Sequence, residues 1–295
     1  MNLEKLTETV KTAAALRYRA RLQPAGGSGD KVFPPTYEGG KYAEEKRRIE
    51  GVTYDCVHLD SVQSQANRME LALLEASREG LIRVPRIEVQ FTGDLAEIGS
   101  ISSLEAPHRL ADAILRDSML KDSSDEVKRY PETSEAKKWI NGSVQNASGL
   151  FEVGPTALLF GIWFNPTGGA GNKGSLGTKI QRAIVSEVFA VGVERGVKSA
   201  LRIDPLQIEK GAGPIFSVNA ETGEWSLDAG TGTKKLEKVG RKKEGNPSDI
   251  VHGNIVTPID DKNGGVTFEY ALQATVISLP ALRRLQFRLF REKCG

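Results

Sequence analysis

Lys179, Arg182 and Ser186 stand at helical spacing just after a glycine-rich stretch, so on a helix they would share one side. Two cations and a hydroxyl would then lie beside the unpaired N–H groups of the first turn, which is how a protein builds an anion site. The preceding residues, 165–177, hold five glycines among thirteen residues, with Asn165 at the entry and Lys173 near the middle. A backbone of that composition lets a ligand approach closely. A second constellation is the block Ser61, Gln63, Ser64, Gln65, Asn67 and Arg68, which crowds uncharged hydrogen-bonding groups into the first two turns of a strongly signalled helix. A third is the run from Lys234 to Lys243. There Lys234, Lys235, Lys238, Arg241, Lys242 and Lys243 face one acid, Glu237. The first and third are suited to a polyanion, and the second to a polar ligand.

Two other chemistries fit less well. Gly169, Gly171 and Gly174 match the dinucleotide-binding spacing G-x-G-x-x-G. In that motif the first glycine follows the strand almost at once and an acid closes the next strand about 20 residues on; here residues 165–168 intervene and Asp204 comes too late. No Gly-Lys-Ser/Thr completes a nucleoside-triphosphate loop. The histidines, His58, His108 and His252, are scattered, and Cys56 and Cys294 offer neither a disulfide framework nor metal-ligand spacing. No metal or other cofactor is expected.

The elements that would position these residues can be taken in order. Residues 2–22 look like an amphipathic helix, and 31–37, with Pro34 and Pro35, like an extended arm. Tyr54–Leu59 is a short strand. Asp60 or Ser61 caps a helix whose apolar stripe is Val62, Ala66, Met69, Leu73 and Ala76. Residues 83–91 alternate as a half-buried strand, 106–120 form a helix, and 121–136 are polar and insertion-like. The apolar run 157–164 predicts a buried strand, and Thr178 with Gln181 a capping box, opening a helix through Ile180, Ile184, Val188 and Val191 to Gly196. Leu201–Ile203 is a short strand, 215–218 and 225–227 a hairpin, Val266–Ser278 a long strand, and Pro280 opens a C-terminal helix.

Forty Lys and Arg against thirty-eight Asp and Glu give a net charge of +2, so any nucleic-acid surface must come from local clustering. A hydrophobic fraction of 39% and a charged fraction of 26% are those of an ordinary folded chain. No apolar run approaches a membrane span, and the start has no signal-peptide core, so the expected compartment is the cytoplasm.

Several segments together resemble a known family: residues 31–37, the block from Leu59 to Glu70, Phe160–Trp163, Arg182–Glu187 and Arg202–Leu206. They are similar to the backbone subunit of the type I-G (formerly I-U) CRISPR Cascade complex, a Cas-seven-type member of the RAMP superfamily. The resemblance implies an α+β fold: a modified RRM-like (ferredoxin-like) antiparallel sheet with helices on one face. It implies one such domain over 1–295, with an N-terminal arm over about 1–50 and insertions at about 93–150 and 204–254, one of them a thumb. It implies a subunit that binds without cutting, polymerises along CRISPR guide RNA (crRNA) and leaves its bases free to pair with target DNA. Its partners would be further copies of itself, other Cascade subunits and a helicase-nuclease. RRM modules stack bases on sheet aromatics, and no aromatic-rich strand is visible here, which favours phosphate and 2′-OH contacts. The alternatives are a RAMP-type endoribonuclease using His58 or Asp60 on CRISPR RNA, and, less so, a dinucleotide-dependent enzyme using Gly169–Gly174.

Overall fold

Strand-forming residues dominate the long run Val266–Ser278, and it pairs along both of its edges. In the computed structural model, five strands hydrogen-bond in the spatial order β1, β7, β6, β3, β2. These are β1 Ala15–Leu22, β2 Glu44–Ile49, β3 Val52–Asp60, β6 Ile184–Arg195 and β7 Val266–Ser278. A separate two-stranded ribbon pairs β4 Ile162–Phe164 with β5 Thr178–Ile180. The structure describes residues 2–121, 126–164, 178–198, 201–202, 217–218, 222–223, 225–226, 255–256 and 263–287. The architecture is α+β, an antiparallel sheet with several helices.

The chain divides into two compact units. One holds Met1–Gly29, Ala43–Val193 and Phe268–Gly295; the other holds Asp30–Tyr42 and Glu194–Thr267. In the second unit Val32 and Val266 exchange two backbone hydrogen bonds of 2.9 and 2.8 Å, and Lys31 Nζ donates to the Val197 carbonyl at 2.9 Å. Short pairs join Leu201–Arg202 to Ile255–Val256 and Ser217–Val218 to Trp225–Ser226.

In the first unit, helix α1 (Leu3–Thr12) ends before β1, so the helix expected over 2–22 is half helix and half edge strand. The alternation Leu16, Tyr18, Ala20 against Arg17, Arg19, Arg21 is a period of two that the apolar spacing of the first turns had masked. Ser61 caps α2 (Val62–Arg78), its hydroxyl accepting from the Ser64 N–H at 3.2 Å. The buried line of α2 is Gln65, Ala66, Glu70 and Leu74 rather than the wholly apolar stripe its sequence suggests. Two polar side chains are buried there because each meets a built partner.

A helical core occupies the middle of the chain. Here α3 (Ser134–Ile140), α4 (Ser148–Val153) and α5 (Thr156–Phe160) gather Trp139, Leu150, Ala157 and Leu158 with Leu110, Leu115 and Tyr130. Trp139 Nε1 donates to the Tyr130 hydroxyl at 2.9 Å, and burial pushes that phenol up to about 12. The expected helix over 106–120 is a 3₁₀ turn, Arg109–Ala111, and one α-turn, Ala113–Arg116; the expected strand over 83–91 shortens to Glu88–Gln90.

Glu70 joins α2 to this region. Its carboxylate, 2% exposed, receives Arg109 Nε and Nη2, each at 2.7 Å. Burial raises the Glu70 pKa, and the Arg109 guanidinium opposes that rise. Arg109 also sits at φ 55, an uncommon backbone state for a side-chain-bearing residue. Arg109→Met is expected to cost about 3–5 kcal/mol in urea unfolding, because it strands a buried carboxylate. The double variant with Glu70→Leu should recover most of that loss; equal losses in the single and double variants would show that the charge is not what matters.

Candidate nucleic-acid interface

The apolar run 157–164, expected as one strand, is the end of α5 followed by β4. Gly161, at φ 85, breaks it, and a Cβ there would sit 3.0 Å from the Arg182 nitrogen and the Ile180 carbonyl oxygen. A buried helix and a buried strand give the same apolar run, and only the glycine divides them. The helix expected from Thr178 to Gly196 is instead β5 and β6. Its i, i+4 spacing came from a central strand that is buried on both faces at Phe189, Ala190 and Val191, where β-branched Ile184, Val185, Val188 and Val191 are the stronger signal. Lys179, Arg182 and Ser186 therefore do not share a helix face. Lys179 and Arg182 are exposed, while Ser186 is 1% exposed and turned inward.

The ribbon has its own chemistry. Ile162 and Ile180 are buried in the helical core, and Phe164 packs edge-on to Trp139 with centroids 5.2 Å apart. Alternation then sends Trp163 outward, where it is 75% exposed. Trp163 pairs in register with Lys179, whose ammonium lies 5.9 Å from the indole centroid. An aromatic face and a cation thus project together from a core-anchored ribbon whose strands are joined in sequence by the glycine-rich residues 165–177. Asn165, Lys173 and the Gly169–Gly174 spacing lie outside the described residues, as do Lys234, Lys235 and the rest of the lysine-rich run.

The block at the start of α2 is split. Gln65, 8% exposed, donates from Nε2 to Asp60 at 2.6 Å, and its Oε1 accepts from Ser186 Oγ at 2.9 Å and Gln273 Nε2 at 3.0 Å. Ser186 also meets Thr275 Oγ1 at 2.7 Å. Gln65 and Ser186 are therefore the polar dock of α2 on the sheet, and Ser61 is its cap. Gln63, Asn67 and Arg68 remain exposed, Arg68 reaching Asp60 at 2.8 Å. Burial works to raise the Asp60 pKa, but hydrogen bonds from Ser64, Gln65 and Arg68 outweigh it and hold the carboxyl below its ordinary value.

The opposite face of the sheet carries chemistry that no one stretch of sequence displays. Pairing steps from Val188–Asp60 to Phe189–His58, one residue along β6 against two along β3. That irregularity turns Asp60 toward α2 and His58 to the other side. There His58 Nε2 lies 3.3 Å from Glu187, and Arg47 grips the same carboxylate at 2.7 and 3.2 Å while covering the Phe189 ring at 3.8 Å. Tyr54, Phe189 and Tyr270 come from three different strands and pack with Cys56, Val191 and Leu272. An aromatic face does exist, one ring per strand, so no single segment of sequence displays it.

Residues 16–195, more than half of the 295-residue chain, match the model of the family described as CRISPR-associated protein GSU0053 (Cas_GSU0053). The chain belongs to this family. It is a CRISPR-associated protein, and the match takes in the α2 block, the ribbon and both Arg47 and Glu187. Among curated proteins, none matches the chain. Among the described residues, no helix is long and apolar enough to cross a membrane.

Glu187 is held below its ordinary 4.5, chiefly by the hydrogen bond from Arg47, against an upward pull from burial; Asp60 lies below its ordinary 3.8. A carboxyl lowered in the folded state stabilises the protein above its unfolded value, and the contribution is lost as pH falls through the folded one. Stability should therefore decline as pH drops below 4.5. Glu187→Gln should make that decline shallower in urea midpoints taken across the acid range, and an unchanged pH dependence would remove Glu187 from the account.

Proposed function

We propose that the chain is a non-catalytic backbone subunit of a type I-G Cascade complex, binding CRISPR guide RNA and presenting it to target DNA in antiviral defence. Copies would polymerise along the guide, beside other Cascade subunits and a helicase-nuclease. The observation that carries this reading is the exposed Trp163 in register with Lys179 on an anchored ribbon. An aromatic face stacks on any base, and a neighbouring ammonium neutralises any phosphate, which is the sequence-tolerant chemistry a guide-holding subunit requires. Membership of a CRISPR-associated family supports the choice of RNA. Arg182, exposed just after β5, and the exposed Gln63, Asn67 and Arg68 of α2 are further candidate backbone contacts.

Binding of labelled single-stranded RNA across a salt series tests this. Trp163→Ala should weaken binding roughly 5- to 150-fold on every sequence, and Lys179→Ala should lower the slope of log K against log salt by about 0.7. The RNA should be recovered uncut. Wild-type affinity and slope in both variants, or RNA cleavage that His58→Ala abolishes, would overturn the reading.

A further inference from the structure

The sheet face opposite α2 ends in a cavity of about 430 Å³ lined by Arg19 and Arg21 of β1, Glu50 and Tyr54 of the β2–β3 hairpin, and Tyr270 and Leu272 of β7. The order of the strands puts β1 and β2 at opposite edges. Side chains from both edges nevertheless line the same cavity. One margin of the apolar cluster, Tyr54, Tyr270 and Leu272, forms its floor, and Tyr270 lies beneath the Arg21 guanidinium at 4.0 Å. Register places Arg17, Arg19 and Arg21 opposite Val276, Ala274 and Leu272, so all three arginines rise on the cavity's side. All three are exposed. At the rim, Glu50 and Gly51 form the two-residue hairpin turn at φ 51 and 90. Glycine, asparagine or aspartate would adopt the first of those positions more easily than glutamate, so this turn holds a carboxylate where backbone preference does not favour one.

We infer that this face binds a single-stranded nucleic acid running along β1, with one base displacing the Arg21 guanidinium from the Tyr270 ring and its neighbouring phosphates on Arg17, Arg19 and the released Arg21. Rings and aliphatic walls accept the flat face of a base, and the Glu50 carboxylate can accept a base amino group. Alternate residues of a strand stand about 6.8 Å apart. Three cations in such a row extend beyond the cavity and meet a chain of phosphates, which a single nucleotide would leave partly unmatched. The inference rests on the RNA-binding reading only for the class of ligand; it uses none of the ribbon's residues.

Twelve-residue single strands carrying 4-thiouridine (RNA) or 4-thiothymidine (DNA) are crosslinked to the full chain and mapped by mass spectrometry, and affinities are read by anisotropy. Crosslinks on Tyr54 or Tyr270 are expected, the more efficient strand identifying the ligand. Arg19→Gln with Arg21→Gln should lower the salt slope by about 1.4, and Tyr270→Leu should weaken binding roughly 5- to 150-fold. Arg19 and Arg21 are exposed, so the arginine variant tests the site even where Tyr270→Leu fails to fold. Wild-type slope in the arginine variant with crosslinks confined to the ribbon would overturn this inference and leave the guide-binding reading standing. No binding by the wild-type protein would overturn both. Competition by polyglutamate as strong as by RNA, without crosslinks to either tyrosine, would make the face an acidic-peptide site instead.

Discussion

In an unbroken strand His58 and Asp60 would point the same way. The irregular step opposite Val188 and Phe189 sends them to opposite faces, and each then organises the chemistry of its own side. Asp60 accepts from Gln65 and Arg68, and Gln65 carries the connection on to Ser186 and Gln273, so α2 is docked through an amide whose oxygen and nitrogen are both engaged. Within this low-dielectric contact an unmatched group would cost about 1–3 kcal/mol, which makes the network selective for one helix position. With α2 committed to that side, the other face is left to rings and arginines.

On the proposed reading, that division is what lets a chain with a net charge of only +2 meet a polyanion. Arg17, Arg19 and Arg21 alternate along an edge strand, Lys179 stands beside Trp163, and Glu187 neutralises Arg47 where a charge would otherwise sit over Phe189. Local clustering sets the field that an approaching strand feels; bulk charge sets little more than solubility.

How much of this was legible beforehand varied with the kind of signal. The strands at Tyr54–Leu59 and Val266–Ser278 and a helix cap at Asp60 or Ser61 are legible directly, because alternation, β-branched density and capping chemistry are local, and the structure makes Ser61 the cap. The stretch from Ala157 to Gly196 could not. Apolar residues without clear alternation leave the period ambiguous, so the sequence reads as strand where α5 forms and as helix where β6 forms, and the helix-start anion site at Lys179, Arg182 and Ser186 falls with that reading. The block from Ser61 to Arg68 was correctly singled out as unusual, yet Gln65 is there for the sheet, and only Gln63, Asn67 and Arg68 face outward. The aromatic face was invisible for a different reason: Tyr54, Phe189 and Tyr270 are brought together by strand order alone.

The proposed backbone binding would place no sequence limit on where the next copy sits, so a guide longer than one footprint should be coated end to end. The most direct measurement is the mass of the protein–RNA complex, by native mass spectrometry, on single strands of increasing length at saturating protein. A number of copies that rises in proportion to RNA length, with the RNA intact, is the result the account predicts. A single copy on every length would contradict it.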